Sequence, residues 1–105
     1  GHRIGPGEIE DCMLKHPAVL QAAAIGSPDK LRGEIVKAFI VLADGFKASK
    51  GLQEEIQNTV RTSLAAYEYP REIEFVNDLP LTTTGKVRRV ELRERERRRK
   101  GLTNS

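Results

Sequence analysis

The sequence predicts a small α+β domain: a short, mostly antiparallel sheet flanked by helices, with a charged helix at its C-terminal end. Three observations predict it. Two apolar segments of strand length, Val19 to Ile25 and Glu34 to Ala43, lie close together in the chain. Beyond them Leu52, Ile56, Val60 and Leu64 recur every fourth residue, the narrow stripe of a helix that packs on one side. The 105 residues with 38% hydrophobic content suffice for one modest core and not for two.

The first helix starts at Pro6, whose fixed φ suits a first turn, with Glu8 and Glu10 placed near the positive end of its dipole. Ile9, Cys12, Met13 and His16 fall on one face of it, which makes Cys12 a packing residue, and Pro17 is expected to end it. The strand Val19 to Ile25 should close at Gly26-Ser27-Pro28-Asp29, four residues dense in turn chemistry. The second strand, apolar except at Lys37, should run to Ala43 and break at Asp44-Gly45. The helix bearing the four-residue stripe is expected to stop at Tyr67-Glu68-Tyr69-Pro70, because Pro70 biases Tyr69 away from helical backbone. Ile73, Phe75 and Val76 make a short third strand closed by Asp78-Leu79-Pro80. Leu81 to Lys86 reads as an exposed hairpin or loop. Arg88 to Lys100 reads as a helix held only by Val90 and Leu92, with its distal turns solvated.

Charge narrows the function classes. The formal net charge is +3, yet Arg88 to Lys100 alone holds eight basic and three acidic residues, leaving ten basic against twelve acidic elsewhere. The basicity therefore belongs to one terminal segment and the body is mildly acidic. A nucleic-acid module working through that segment is the reading from a different class. Glu91, Glu94 and Glu96 interrupt the basic run and no aromatic residue is interleaved, both of which argue against it. One cysteine makes no internal disulfide, and no Cys/His cluster has the spacing of metal ligands. No apolar run approaches the roughly 18 residues of a membrane span. The start at Gly1-His2-Arg3 has no initiator Met and no apolar signal stretch, so a processed product or fragment in the cytoplasm is expected.

Single residues carry little by themselves. Lys86 follows a glycine in a hydroxyl-rich loop, where a compact ammonium can reach a phosphate, but the spaced glycines of a phosphate-binding P-loop are missing. Arg32 between turn and strand could simply pair with Glu34, and Arg61 beside Val60 could lie along the helix surface. Tyr67 and Tyr69 read as core aromatics as easily as an adenine platform. His2 and His16 have no evident nucleophile or metal partner.

Four motifs in order change that weighting. Gly1-His2-Arg3-Ile4-Gly5-Pro6-Gly7-Glu8, then Pro28-Asp29-Lys30-Leu31-Arg32-Gly33-Glu34, then Tyr69-Pro70-Arg71, then Leu79-Pro80-Leu81-Thr82-Thr83-Thr84-Gly85-Lys86 follow one another along nearly the whole chain. This resembles the C-terminal domain of the adenylate-forming superfamily, which includes acyl-CoA synthetases, firefly luciferase and the adenylation domains of peptide synthetases. The segment from Tyr67 to Val76 and the Gly-x-Arg-Ile-Gly-Pro start resemble the medium-chain and acetyl-CoA synthetase branch most.

The resemblance implies an enzyme part. Such ligases join a carboxylic acid to ATP, giving an acyl-adenylate and pyrophosphate, and a CoA thiol then displaces AMP. ATP and CoA are substrates, and Mg2+ accompanies ATP, held mainly outside this domain. Residues 1–105 would be the mobile lid that turns between two poses against a large N-terminal domain, and that domain and the hinge lie before Gly1. By similarity Lys86 is the catalytic lysine of the adenylation pose, and its acylation is a family off-switch. Arg3 and Lys86 face the nucleotide phosphates of ATP or AMP. Gly1, His2 and Gly5 line the tunnel for the thiol arm, and Arg32, Arg61, Tyr69, Pro70 and Arg71 hold CoA. The implied partners are the N-terminal domain, CoA and the acyl-adenylate. A domain whose thiol arrives on a carrier protein is the alternative within the superfamily.

Overall fold

The computed structural model describes residues 5–64 and 69–101. Helix α1 spans Pro6–Met13. It is followed by strands β1, Val19–Asp29, and β2, Gly33–Leu42, then helix α2, Lys50–Ser63, strand β3, Glu72–Phe75, and helix α3, Arg89–Arg99. The strands form one mixed sheet in the order β1-β2-β3: the long β1–β2 pairing is antiparallel, and β3 joins β2 in parallel after the α2 crossover. The expected α+β domain is thus present, antiparallel along most of its sheet.

Strand β2 is central and is buried on both faces, which is why it reads as an unbroken apolar run. Ala38 and Ile40 point into one core with Ala22, Ala24, Ile9, Cys12 and Met13 of α1 and Ile56 and Val60 of α2. Phe39 and Val41 point into a second core with Ala23, Ile25, Leu79 and Leu92 of α3. The four-residue stripe of α2 therefore does what its spacing requires. Cys12 is buried, and its thiol faces the Thr59 carbonyl oxygen at 3.7 Å. Ser49 caps α2, its hydroxyl accepting the Leu52 N–H at 3.0 Å.

Four boundaries or anchors depart from expectation. The turn of the hairpin is Lys30 to Arg32, not Gly26 to Asp29: β1 continues through Gly26, Ser27 and Pro28 as Asp29 accepts the Leu31 and Arg32 N–H groups at 3.1 and 2.9 Å. Pro28 is tolerated because β1 is an edge strand, and Gly33 closes the turn at φ +79°. Helix α1 ends at Met13, ahead of Pro17, since His16 has left the helix: its Nδ1 accepts the Ala18 N–H at 3.0 Å while Nε2 meets Glu55 of α2. Helix α2 ends at Ser63 with Leu64 already extended, before Tyr69-Pro70; Tyr67 and Glu68 lie outside the described residues.

The fourth departure concerns α3. Val90 is 58% exposed and anchors nothing, whereas Leu92 is fully buried as expected. The distal turns are not free in solvent, because Glu96 is 1% exposed and carries them. Its carboxylate accepts from Lys37 Nζ at 2.6 Å, from the Ser27 hydroxyl at 2.8 Å and from Arg99 at 2.9 and 3.1 Å. Lys100 adds bonds to Ser27, Pro28 and Glu72. Burial opposes ionisation of Glu96, but the bonds from Arg99, Lys37 and Ser27 outweigh it and hold the carboxyl down at about 2. Lys37, the polar break in the apolar run Ile35 to Leu42 of β2, is the internal counter-ion of the terminal helix.

Glu10 is also more than a charge at a helix start. Its carboxylate is buried, accepts the Ala24 N–H of β1 at 2.8 Å and takes two bonds from Arg89 of α3 at 3.1 and 2.5 Å. One side chain thereby ties α1, β1 and α3 together.

Candidate functional site

A groove of about 600 Å³ opens beside the start of α1. Gly5 and Pro6 form one wall, Gly26, Glu34 and Val36 of the hairpin form the floor, and Arg32 and Arg71 border it. A Cβ on Gly26 would come within 2.5 Å of the Glu34 carboxyl, so the glycine is what lets that side chain lie across β1. Arg32 makes no ion pair with Glu34 or with any other carboxylate among the described residues. Its guanidinium is exposed at the hairpin turn, whose backbone Asp29 fixes.

Arg71 is set by its own backbone: its N–H donates to Val36 O at 2.9 Å, and Gln57 of α2 donates to the carbonyls of Pro70 and Arg71 at 3.0 and 3.3 Å. The side chain returns over Tyr69, with the guanidinium 5.1 Å from the ring centroid and a 3.3 Å bond to the hydroxyl. Arg61, on the last turn of α2, lies 4.4 Å from the centroid of the same ring. It is therefore stacked and not merely laid along the helix. The pull of Arg61 on the hydroxyl, against partial burial and helped by Arg71 and Arg32, holds Tyr69 below the ordinary tyrosine range. Arg61 and Arg71 thus flank one aromatic ring, and Arg32 borders the groove with Arg71, guanidinium groups of the kind that bind phosphate bidentately.

Lys86 stands elsewhere and does not line the groove. Its loop is a tight hairpin: Leu81 and Val87 bridge, Thr82 N–H donates to Lys86 O at 2.7 Å, Lys86 N–H donates to the Thr82 hydroxyl at 3.1 Å, and Gly85 sits at φ +87°. The backbone is held while the ammonium is left exposed, with no carboxylate partner among the described residues. Gly1, His2 and Arg3 lie outside the described residues. Among the described residues no three His, Cys, Asp or Glu side chains converge as a metal site would require. No helix described is long and apolar enough to cross a membrane.

Two participants escape a sequence reading. Gln57, a half-buried polar residue at the flank of the apolar stripe, fixes the Pro70-Arg71 backbone only because of the chain path after α2. Arg93 of α3 borders the groove too, and nothing in a run of arginines distinguishes it.

Comparison with known proteins assigns the fold to a family. Residues 8–86 fit the model of the AMP-binding enzyme C-terminal domain. The 4-hydroxybutyrate–CoA ligase 1 of Metallosphaera sedula is 53% identical over 102 residues, covering 95% of this chain and 18% of that protein. The mitochondrial acyl-coenzyme A synthetase ACSM4 of Rattus norvegicus is 53% identical over 98 residues, covering 91% of this chain and 17% of that protein. A crystal structure of an acyl-CoA synthetase of Brucella canis superposes with a TM-score of 0.90 at 49% identity, over 95% of this chain and 18% of that one. The chain spans under a fifth of the length of these relatives. It belongs to the AMP-binding enzyme C-terminal domain family, alongside acyl-CoA synthetases.

Proposed function

We propose that residues 1–105 are the mobile C-terminal lid of an AMP-forming acyl-CoA synthetase, serving each half-reaction with a different surface. The observation that carries the reading is the separation of two cationic features: Lys86 on its held hairpin, and Arg32 and Arg71 at the groove, with Arg61 and Arg71 against Tyr69.

In the first half-reaction a carboxylate oxygen attacks the α-phosphorus of ATP and pyrophosphate leaves. Two anions approach, and the Lys86 ammonium between them stabilises the charge they share in the transition state. Arg3 assists at the nucleotide phosphate, and Mg2+ is held with ATP on residues outside this domain. Removing a fixed donor of this kind costs about 100 to 1,000-fold in rate. In the second half-reaction the CoA sulfur attacks the acyl carbon and AMP leaves. Gly1, His2 and Gly5 leave room for the thiol arm, Tyr69 and Pro70 support the adenine, and Arg32, Arg61 and Arg71 hold the nucleotide phosphates. The lone thiol of Cys12 is buried, which suits a reducing compartment such as the cytoplasm; the rat relative is named as mitochondrial.

In the complete two-domain ligase, Lys86→Ala is expected to cut ATP–pyrophosphate exchange by about 100 to 1,000-fold. Acyl transfer from a supplied acyl-adenylate to CoA should persist. Equal loss of both steps would contradict the division of labour. Acyl-CoA formation by residues 1–105 unaided would contradict the lid assignment.

A further inference from the structure

We propose that Arg93 of α3 is a further phosphate-binding residue for CoA, beyond the cations around Tyr69; this rests on the CoA reading of the groove. Most arginines around α3 are committed to carboxylates: Arg88 and Arg95 to Glu91, Arg89 to Glu10, Arg99 to Glu96 and Glu72. Arg93 and Arg97 have no such partner among the described residues, and neither does Arg98.

Position separates Arg93 from the other two. It borders the 600 Å³ groove together with Arg32 and Arg71. It also borders a second groove of about 360 Å³, which runs between the hairpin and α3 to Arg97. Gly26, Glu34 and Arg93 belong to both, so the two grooves meet at this arginine. Arg89, one turn earlier, also borders the larger groove, but Glu10 occupies its guanidinium. Arg93 is thus the unpaired guanidinium that α3 presents at the groove.

The ligand chemistry asks for such a residue. The CoA nucleotide carries a diphosphate and a separate 3′-phosphate, anionic groups set apart from one another, and Arg93 would add a cation for one of them in the groove that Arg32, Arg71 and Gly26 also line. Glu34 borders both grooves and Glu94 the smaller one, so an anion bound there needs a nearby cation such as Arg93 to offset their repulsion. A planar fork on a helix offers a bidentate contact and loses less rotamer freedom per hydrogen bond than a lysine would.

The test uses the complete ligase with CoA and with 3′-dephospho-CoA. Arg93→Gln should raise KM for CoA about tenfold, equivalent to ~1.4 kcal/mol. That rise should exceed any change in KM for ATP, and Arg93→Lys should recover part of it. If the 3′-phosphate is the group held, the rise disappears with 3′-dephospho-CoA; if the diphosphate is held, it remains. An unchanged KM for CoA in Arg93→Gln, with a raised KM in Arg32→Gln/Arg71→Gln, overturns the role of Arg93 and leaves the lid function standing. An unchanged KM in all of these variants overturns the CoA reading itself. Equal increases in KM for CoA and for ATP also overturn the proposal, since they indicate a disturbed lid and not a lost CoA contact.

Discussion

Glu96 shows how far a single charge can sit from its sequence appearance. In the chain it is one of three acids diluting a basic run; in the fold it is buried and receives donors from Lys37 and Ser27, 59 and 69 residues away. No local pattern could reveal that, because the neutralising partners belong to the central and edge strands. Lys86 is a different case: its Gly-Lys turn says little alone, and its assignment rests on the order of the four motifs that carry the family resemblance. Glu96→Gln would leave Lys37 buried with Glu74, itself 40% exposed, as its remaining carboxylate partner. A loss of about 3 kcal/mol is expected, read as a lowered urea midpoint. Glu91→Gln, which removes exposed pairs with Arg88 and Arg95, should shift that midpoint little.

Helix α2 was readable from four residues, since a stripe every fourth position has one periodic interpretation and Ile56 and Val60 are indeed fully buried. The hairpin was not. Gly26, Pro28 and Asp29 are turn formers in isolation, but an edge strand has no use for the N–H that proline lacks, and Asp29 caps the turn that follows it. The same displacement moves Arg32 from a strand approach to the tip of the hairpin. Asp29→Ala should therefore cost about 1 kcal/mol of stability through its two lost backbone acceptors, measurable as a drop in Tm. It should also raise KM for CoA in the complete ligase by freeing the Arg32 backbone. Gly85→Ala acts on the other hairpin: at φ +87° the added Cβ is expected to cost about 1 kcal/mol and to slow adenylation more than thioester formation.

For the domain as a unit, acid is the informative perturbation. Glu96 has a folded value of about 2, below its ordinary value of 4.5, so its stabilisation is fully present above about 4.5 and is lost as the pH falls toward 2. The contribution is on the order of 3 kcal/mol, and thermal melts between pH 5 and 2 should show the parent lose stability through this range while the Glu96→Gln variant loses less. Composition pointed to one modest core, yet β2, apolar from Ile35 to Leu42 except at Lys37, divides the buried residues into a cluster on each face of the sheet. The parallel docking of β3 likewise depended on the path of a crossover that periodicity does not encode.

Glu10 has a consequence for association. Strand β1 is eleven residues long and lies at the sheet margin, where open N–H and C=O groups form a template on which a second chain could add a strand. The Glu10 carboxylate occupies the Ala24 N–H midway along that margin, and Arg89 clamps it in place. The pair works as a guard against fibril-like stacking: Glu10→Ala should raise light scattering in concentrated solution well below the unfolding temperature.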